Sequence, residues 1–342
     1  MSSRLASISG PLIVAGHCCL DVIPRFREGG RMPGPAELEQ VGEAALACGG
    51  AVPNVGIALR RLGAPVRMIT AVGDDLWGRE IQRLLAGTGA DLRLKVHAGR
   101  SSSYSLVLAP PGVDRCFIHD PAVNHLFDPR GDVTDEDLRG AVALHFGYPP
   151  AMRRTYEDGG ESLAQLMSGA SSRGLVTSLD LLWADVRHVD WRGLMRRVLP
   201  SISLFCPSLD EVRMLLGSDA DEWALAGELL ELGAAVVVLK RGEKGLICRG
   251  SSSADRLRRA NLPAHWLDVR MEQGCLPAKV VSTNGSGDCT IAGLIASVAL
   301  GLPPQSALRM ACAVGACSVE AADATSGVRA WEDTAARASL LS

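Results

Sequence analysis

The stretch Ser282-Thr283-Asn284-Gly285-Ser286-Gly287-Asp288-Cys289-Thr290-Ile291-Ala292-Gly293 carries the most informative pattern in this 342-residue chain. It follows the apolar pair Val280-Val281. Ile291, Leu294, Ile295 and Val298 recur at i, i+3, i+4 and i+7 and mark one face of a helix. Gly285 and Gly287, with Ser286 between them, let the backbone turn sharply just ahead of it. A glycine-rich turn that opens a helix presents free N–H groups, and the helix dipole adds positive potential there. An anion site is expected. Asp288 then sets a carboxylate beside the anion. A phosphate cradle gains nothing from that charge, so the pairing points to a base next to an electrophilic phosphorus. The alternative is a simple helix cap, for which Asp is a preferred residue.

A second glycine pair lies upstream in Cys48-Gly49-Gly50-Ala51-Val52-Pro53-Asn54-Val55-Gly56. Val55, Ala58, Leu59 and Leu62 define the helix face behind it, Pro53 suits the first turn, and Gly63 suits the stop. Both stretches resemble signatures of the ribokinase-like (PfkB) family of carbohydrate and nucleoside kinases. The C-terminal signature is usually Asp-Thr-Thr-Gly-Ala-Gly-Asp. Thr283, Gly285, Gly287 and Asp288 match it, while Ser282, Asn284 and Ser286 depart from it. In the N-terminal signature Gly49, Gly50, Asn54, Leu62 and Gly63 match, with Gly56 in place of a small Ala.

Composition leaves room for this. Hydrophobic residues make up 47% of the chain and charged residues 21%, enough for a sizeable core. A formal charge of −3 gives no broad reason to expect nucleic acid or an anionic membrane, and 4% aromatics provide few stacking platforms. The run Leu12 to Ala15 is too short for a signal segment, and no membrane-spanning run is present. The ten cysteines form no Cys-x-x-Cys pair and read as small buried hydrophobes of a reducing, cytoplasmic compartment. The seven histidines are scattered, and no cage of protein ligands for a metal is evident. Walker A and Gly-x-Gly-x-x-Gly motifs are absent, which disfavours P-loop and dinucleotide-binding folds.

Along the chain, Pro11 to Ala15 reads as a buried strand, with Asp21 just past its end. Arg25 to Gln40 reads as an exposed excursion. Val66 to Val72 is strand-like; Asp74 and Asp75 read as turn and cap residues of a helix through Leu84. Ser103 to Leu108 and Arg115 to His119 form a hairpin pattern, with Arg115 an exposed strand residue. Ala141 to Phe146, Leu175 to Leu179, Ile202 to Phe205 and Ala234 to Leu239 alternate with helical stretches, the pattern of a mostly parallel sheet. Asp180 and Asp185 read as structural. Ser208 and Glu211 have the spacing of a capping box. Ser251 to Gln273 reads as a polar loop with a poorly defined strand, and Ser306 to Ala322 as a helix of small residues.

The resemblance implies a ribokinase-like three-layer α/β/α fold, with a mostly parallel central sheet and a small β-sheet lid. It implies one kinase domain over residues 1–342, with lid segments at about 17–48 and 98–121. It also implies ATP-dependent phosphorylation of a sugar or nucleoside hydroxymethyl group. Asp288 is then the base, and Gly285, Ser286 and Gly287 form the anion hole. Asp21, Gly49, Gly50 and Asn54 hold the acceptor. Ser208, Lys240, Gly242, Gly245, Thr283 and Cys312 border the nucleotide, and Glu211 organises Mg2+ through water. Ser208 replaces a family Asn, and Ser282 replaces a family Asp that helps hold a monovalent cation; both departures allow a weak or inactive kinase that only binds a sugar or nucleoside. A vitamin-type kinase of the broader fold is a third reading. A homodimer through the lid is a further expectation.

Overall fold

The computed structural model describes residues 4–113, 115–182 and 188–340. Its strands are β1 (Leu12–Gly16), β2 (Cys19–Pro24), β3 (Ala44–Gly49), β4 (Val66–Gly73), β5 (Asp91–His97), β6 (Tyr104–Leu108), β7 (Cys116–Asp120), β8 (Ala143–Gly147), β9 (Val176–Leu179), β10 (Leu204–Phe205), β11 (Val236–Lys240), β12 (Leu246–Gly250) and β13 (Arg270–Gln273). The helices are α1 (Ala51–Leu62), α2 (Leu76–Ala86), the single turns α3 (Pro129–Asp132) and α4 (Asp135–Leu138), α5 (Glu161–Ser172), α6 (Trp191–Val198), α7 (Leu209–Leu216), α8 (Glu222–Glu231), α9 (Ala254–Arg259), α10 (Ser286–Ala299), α11 (Pro304–Ser318) and α12 (Trp331–Arg337).

Nine strands form one sheet in the order β13-β12-β11-β10-β9-β8-β1-β4-β5. Pairing is parallel from β11 through β5 and antiparallel at the β11–β12–β13 edge. Alternate residues of β1 serve opposite faces: Leu12 and Val14 join a core with α1, α10 and α11, and Ile13 and Ala15 join one with α5, α6 and α8. This two-sided burial explains why the parallel strands read as near-continuous apolar runs. Chain order reverses between β1 and β8, and in open α/β sheets ligands collect at the carboxyl ends of strands beside such a switch point.

Four further strands form a separate mixed sheet, β3-β2-β6-β7. Asp21 therefore lies inside β2, facing Ala47 and Ser105 across the ladder, and not in a loop past β1. The Arg25 to Glu43 excursion joins β2 to β3 and is largely exposed. Asp75 caps α2 through Gly78 and also accepts from Ser102, while Asp74 accepts from the Gly99 amide.

The structure departs from expectation in four elements. Residues 254–259 form α9, because Ser253 caps Arg256 while only Leu257 is buried, leaving almost no periodicity to read. The Gly242–Gly245 turn leads into a full strand, β12, which pairs antiparallel with β11. β5 is an edge strand whose exposed face carries Asp91, Arg93 and Lys95, so its apolar signal is thin. α11 ends at Ser318 and not at Ala322, because the Val319 carbonyl accepts the Val281 and Ser282 amides and draws the chain aside. Asp185 lies outside the described residues.

Candidate active site

α10 begins where Gly285 takes a left-handed conformation at φ 66°, which an L side chain rarely adopts. A Cβ there would also meet the Ala324 side chain at 2.5 Å, so this turn needs glycine twice over. Asp288 follows in the first helical turn, 6% exposed. Two neighbours orient its carboxylate. Asn54 Nδ2, from α1, donates to Oδ2 at 2.9 Å, and the Tyr148 hydroxyl, just past β8, donates to Oδ1 at 2.6 Å. Burial raises the Asp288 pKa, against the opposing pull of Lys240 and of these two donors. The net effect is a more basic carboxylate that stays hydrogen-bonded in its ionised form.

Lys240 ends β11, and its Nζ meets Asp180 Oδ2, just past β9, at 2.7 Å. Burial works to lower the Lys240 pKa, but Asp180, Glu211 and Asp288 together outweigh it and hold the ammonium charged. A Cβ on Gly287 would sit 3.3 Å from Lys240 Nζ, so the cation lies against the opening turn of α10. Helix N-terminus and ammonium thus add their positive potential at one point.

These groups share one cleft of about 650 Å³, lined by Ser208, Glu211, Lys240, Gly242, Gly245, Thr283, Gly285, Ser286, Gly287, Asp288 and Cys312 among others. Elements far apart in sequence meet here because β8, β9, β10 and β11 all end on this side. Ser208 and Glu211 do form a capping box: the Ser208 amide donates to Glu211 Oε2 at 2.7 Å, and Ser208 Oγ accepts from the Glu211 amide. Both still border the cleft. The Cys312 thiol points at the Gln273 carbonyl, at 3.9 Å. Asp180 Oδ1 is buried without a hydrogen-bond partner. That orphan oxygen, beside Glu211 and Asp288, is the hard donor chemistry that suits a hydrated Mg2+.

Asp21, Gly49 and Gly50 do not line this cleft; they form a second group connected to it through Asn54. The Asp21 carboxylate occupies the space that a Cβ on Gly49 would need, at 2.3 Å. Burial raises the Asp21 pKa to about 6, against hydrogen bonds from Cys19 and Ser105. Asp180, expected to be structural, instead borders the cleft, and three further residues gained a place that sequence reading did not give them. Tyr148 binds Asp288, and only its position at the end of a parallel strand hinted at this. Arg115 precedes β7, borders the cleft and donates to Thr283 Oγ1 at 3.1 Å, unlike the exposed strand residue expected. His17 stacks near Tyr148 and His119, with ring centroids 5.8 and 5.1 Å away.

Comparison with known proteins agrees with this architecture. The family model described as pfkB family carbohydrate kinase matches residues 11–331. A fructokinase from Rhizobium leguminosarum bv. trifolii is 28% identical over 295 residues, covering 84% of this chain and 79% of that protein. Arabidopsis thaliana ribokinase, solved with ribose and ATP, superposes with a TM-score of 0.78 at 20% identity, covering 96% of this chain and 99% of that one. A ribokinase II from E. coli, described as putative and solved with ATP and Mg2+, gives 0.75 at 21% identity, covering 96% and 98%. The fold is ribokinase-like, and the chain belongs to the pfkB family of carbohydrate kinases.

Proposed function

We propose that the protein transfers the γ-phosphoryl group of ATP to a hydroxymethyl group of a sugar or nucleoside. One observation carries this reading: a buried carboxylate, Asp288, held by two donors in the first turn of a helix whose opening amides and Lys240 face the same cleft. Asp288 takes the proton of the acceptor hydroxyl as it attacks phosphorus. The amides from Gly285 to Gly287 stabilise the charge that gathers on the transferred group; preorganised donors of this kind are worth about 2.7–4 kcal/mol each. Asp21, Gly49, Gly50 and Asn54 hold the acceptor. Ser208, Lys240, Gly242, Gly245, Thr283 and Cys312 border the nucleotide. Glu211 and Asp180 would hold Mg2+ through water, and the ion would neutralise phosphate charge. The β3-β2-β6-β7 sheet acts as the lid that excludes water during transfer. The exposed Leu46, Phe117 and Ile118 of that sheet favour a homodimer joined through it.

A second reading, a protein that binds the acceptor without phosphorylating it, draws support from Ser208 and Glu211, which already satisfy one another in the cap. The test is ADP formation by the purified protein against a panel of sugars and nucleosides, with Asp288→Asn alongside. Turnover on one compound, lost by about 10²–10⁴-fold in the variant, is the expected outcome. Thermal stabilisation by a compound that is never phosphorylated would support the second reading instead. Equal turnover by both proteins would remove Asp288 from the mechanism.

A further inference from the structure

His17, Cys19 and His119 form the one cluster of metal-ligating side chains of this type among the described residues: one ligand atom of each lies within 4.8 Å of the other two. His17 follows β1, Cys19 opens β2, and His119 belongs to β7, so the cluster joins the mouth of the large sheet to the far edge of the lid sheet. The two imidazoles face one another through Nε2, 3.3 Å apart. Nitrogens bound about 2.0–2.1 Å from a tetrahedral zinc stand about 3.3–3.4 Å apart, so this spacing already fits two ligands of one ion.

His17 is 3% exposed and presents Nε2 to the His119 ring, while its own Nδ1 has no hydrogen-bond partner among the described residues. His119 is better supported: its Nδ1 lies 2.9 Å from Ser105 Oγ, which orients Nε2 toward His17 as an outer-sphere partner would. The Cys19 thiol points at Asp21 Oδ1, at 3.3 Å, leaving an acceptor beside it for the proton that metal binding would displace.

We propose that His17, Cys19 and His119 bind a zinc-type divalent ion through two imidazole nitrogens and one thiolate, with the fourth position open. Binding releases the Cys19 proton to Asp21 or to water, with no change of oxidation state. Nitrogen and sulfur donors select zinc or cobalt over magnesium. The ion ties β7 to the end of β1 and sits beside Asp21, whose carboxylate meets the Cys19 thiol. Cobalt is the probe, because its thiolate charge-transfer absorption reports the site directly and requires neither ATP nor turnover.

The full-length chain carrying Cys116→Ser and Cys275→Ser, which removes its exposed thiols, is titrated with Co2+. The expected result is one equivalent bound with tetrahedral and charge-transfer absorption, displaced by Zn2+. Cys19→Ser in that background abolishes the charge-transfer band, and His119→Gln weakens binding by at least about tenfold. If Cys19→Ser fails to fold, His119→Gln, at an exposed position, decides alone. Absence of the band, or its persistence in Cys19→Ser, or unchanged affinity in His119→Gln, overturns the site. Because the readout is binding, its failure leaves the kinase reading untouched, and failure of the kinase reading leaves the site standing.

Discussion

At the scale of single residues, the candidate site concentrates carboxylates that folding makes harder to ionise. Asp21 is one of them, with its pKa raised from 3.8 to about 6 by burial. Between those values the folded state binds the proton that the unfolded state has released, so stability falls as pH rises through this window. A shift of that size corresponds to roughly 3 kcal/mol of destabilisation at neutral pH. Asp21→Asn should therefore raise the thermal midpoint at pH 7.5, by about 3–8 °C, and leave it nearly unchanged near pH 4. The same substitution should raise KM for the acceptor, because an ionised acceptor group is lost. Melting curves at the two pH values check the first part, and a midpoint that does not move at pH 7.5 rejects it. Wild-type kcat/KM should fall as pH drops below about 6, where Asp21 takes up its proton.

At the scale of elements, the site depends on how closely α10 packs on α11. Gly293 and Gly315 sit at that contact: a Cβ would meet Val314 Cγ2 at 2.8 Å in the first case and Thr290 Oγ1 at 2.4 Å in the second. Thr290 in turn donates to the Ser286 carbonyl at 2.8 Å, within the turn that opens α10. Gly315→Ala should displace Thr290 from that bond and cost about 1–3 kcal/mol, as overpacking usually does. Adding Thr290→Ala should recover most of the loss, since it removes the colliding atom. Urea unfolding of the single and double variants measures this, and strictly additive losses would show that the two positions do not collide.

At the scale of the whole molecule, the parallel strands deliver Tyr148, Asp180, Ser208 and Lys240 to one side of the sheet, and the lid hangs beside it. Arg115 already touches Thr283 across that gap. If the lid closes on the acceptor, the exposed Arg25, Arg27 and Arg31 in the β2–β3 excursion become less open to cleavage. Trypsin should cut there several-fold more slowly when the sugar or nucleoside that the protein phosphorylates is present, unphosphorylated, with a non-hydrolysable ATP analogue. An unchanged cleavage rate would mean that the lid sheet does not respond to its ligands. No helix among the described residues is long and apolar enough to cross a membrane.

The sequence by itself determined the parallel sheet, the glycine turns and the helices behind them, because those depend on local periodicity and on residues with particular backbone freedom. It marked Asp288 and the glycines before it, since neighbours in sequence are neighbours in that turn. It gave Asn54 as an acceptor residue but not as the donor to Asp288, 234 positions away. It did not bring out Tyr148, which carries no local pattern, and it placed Arg115 on a solvent-facing strand. It treated His17 and His119 as scattered and Cys19 as a small buried hydrophobe, because their spacing fits no motif. α9 and β5 escaped it for a related reason: one is held by a single buried leucine, and the other is an edge strand with charges along its open face. Periodicity records which face of an element is buried. Only the tertiary structure decides which side chains from different elements converge, because that depends on where strands end in space.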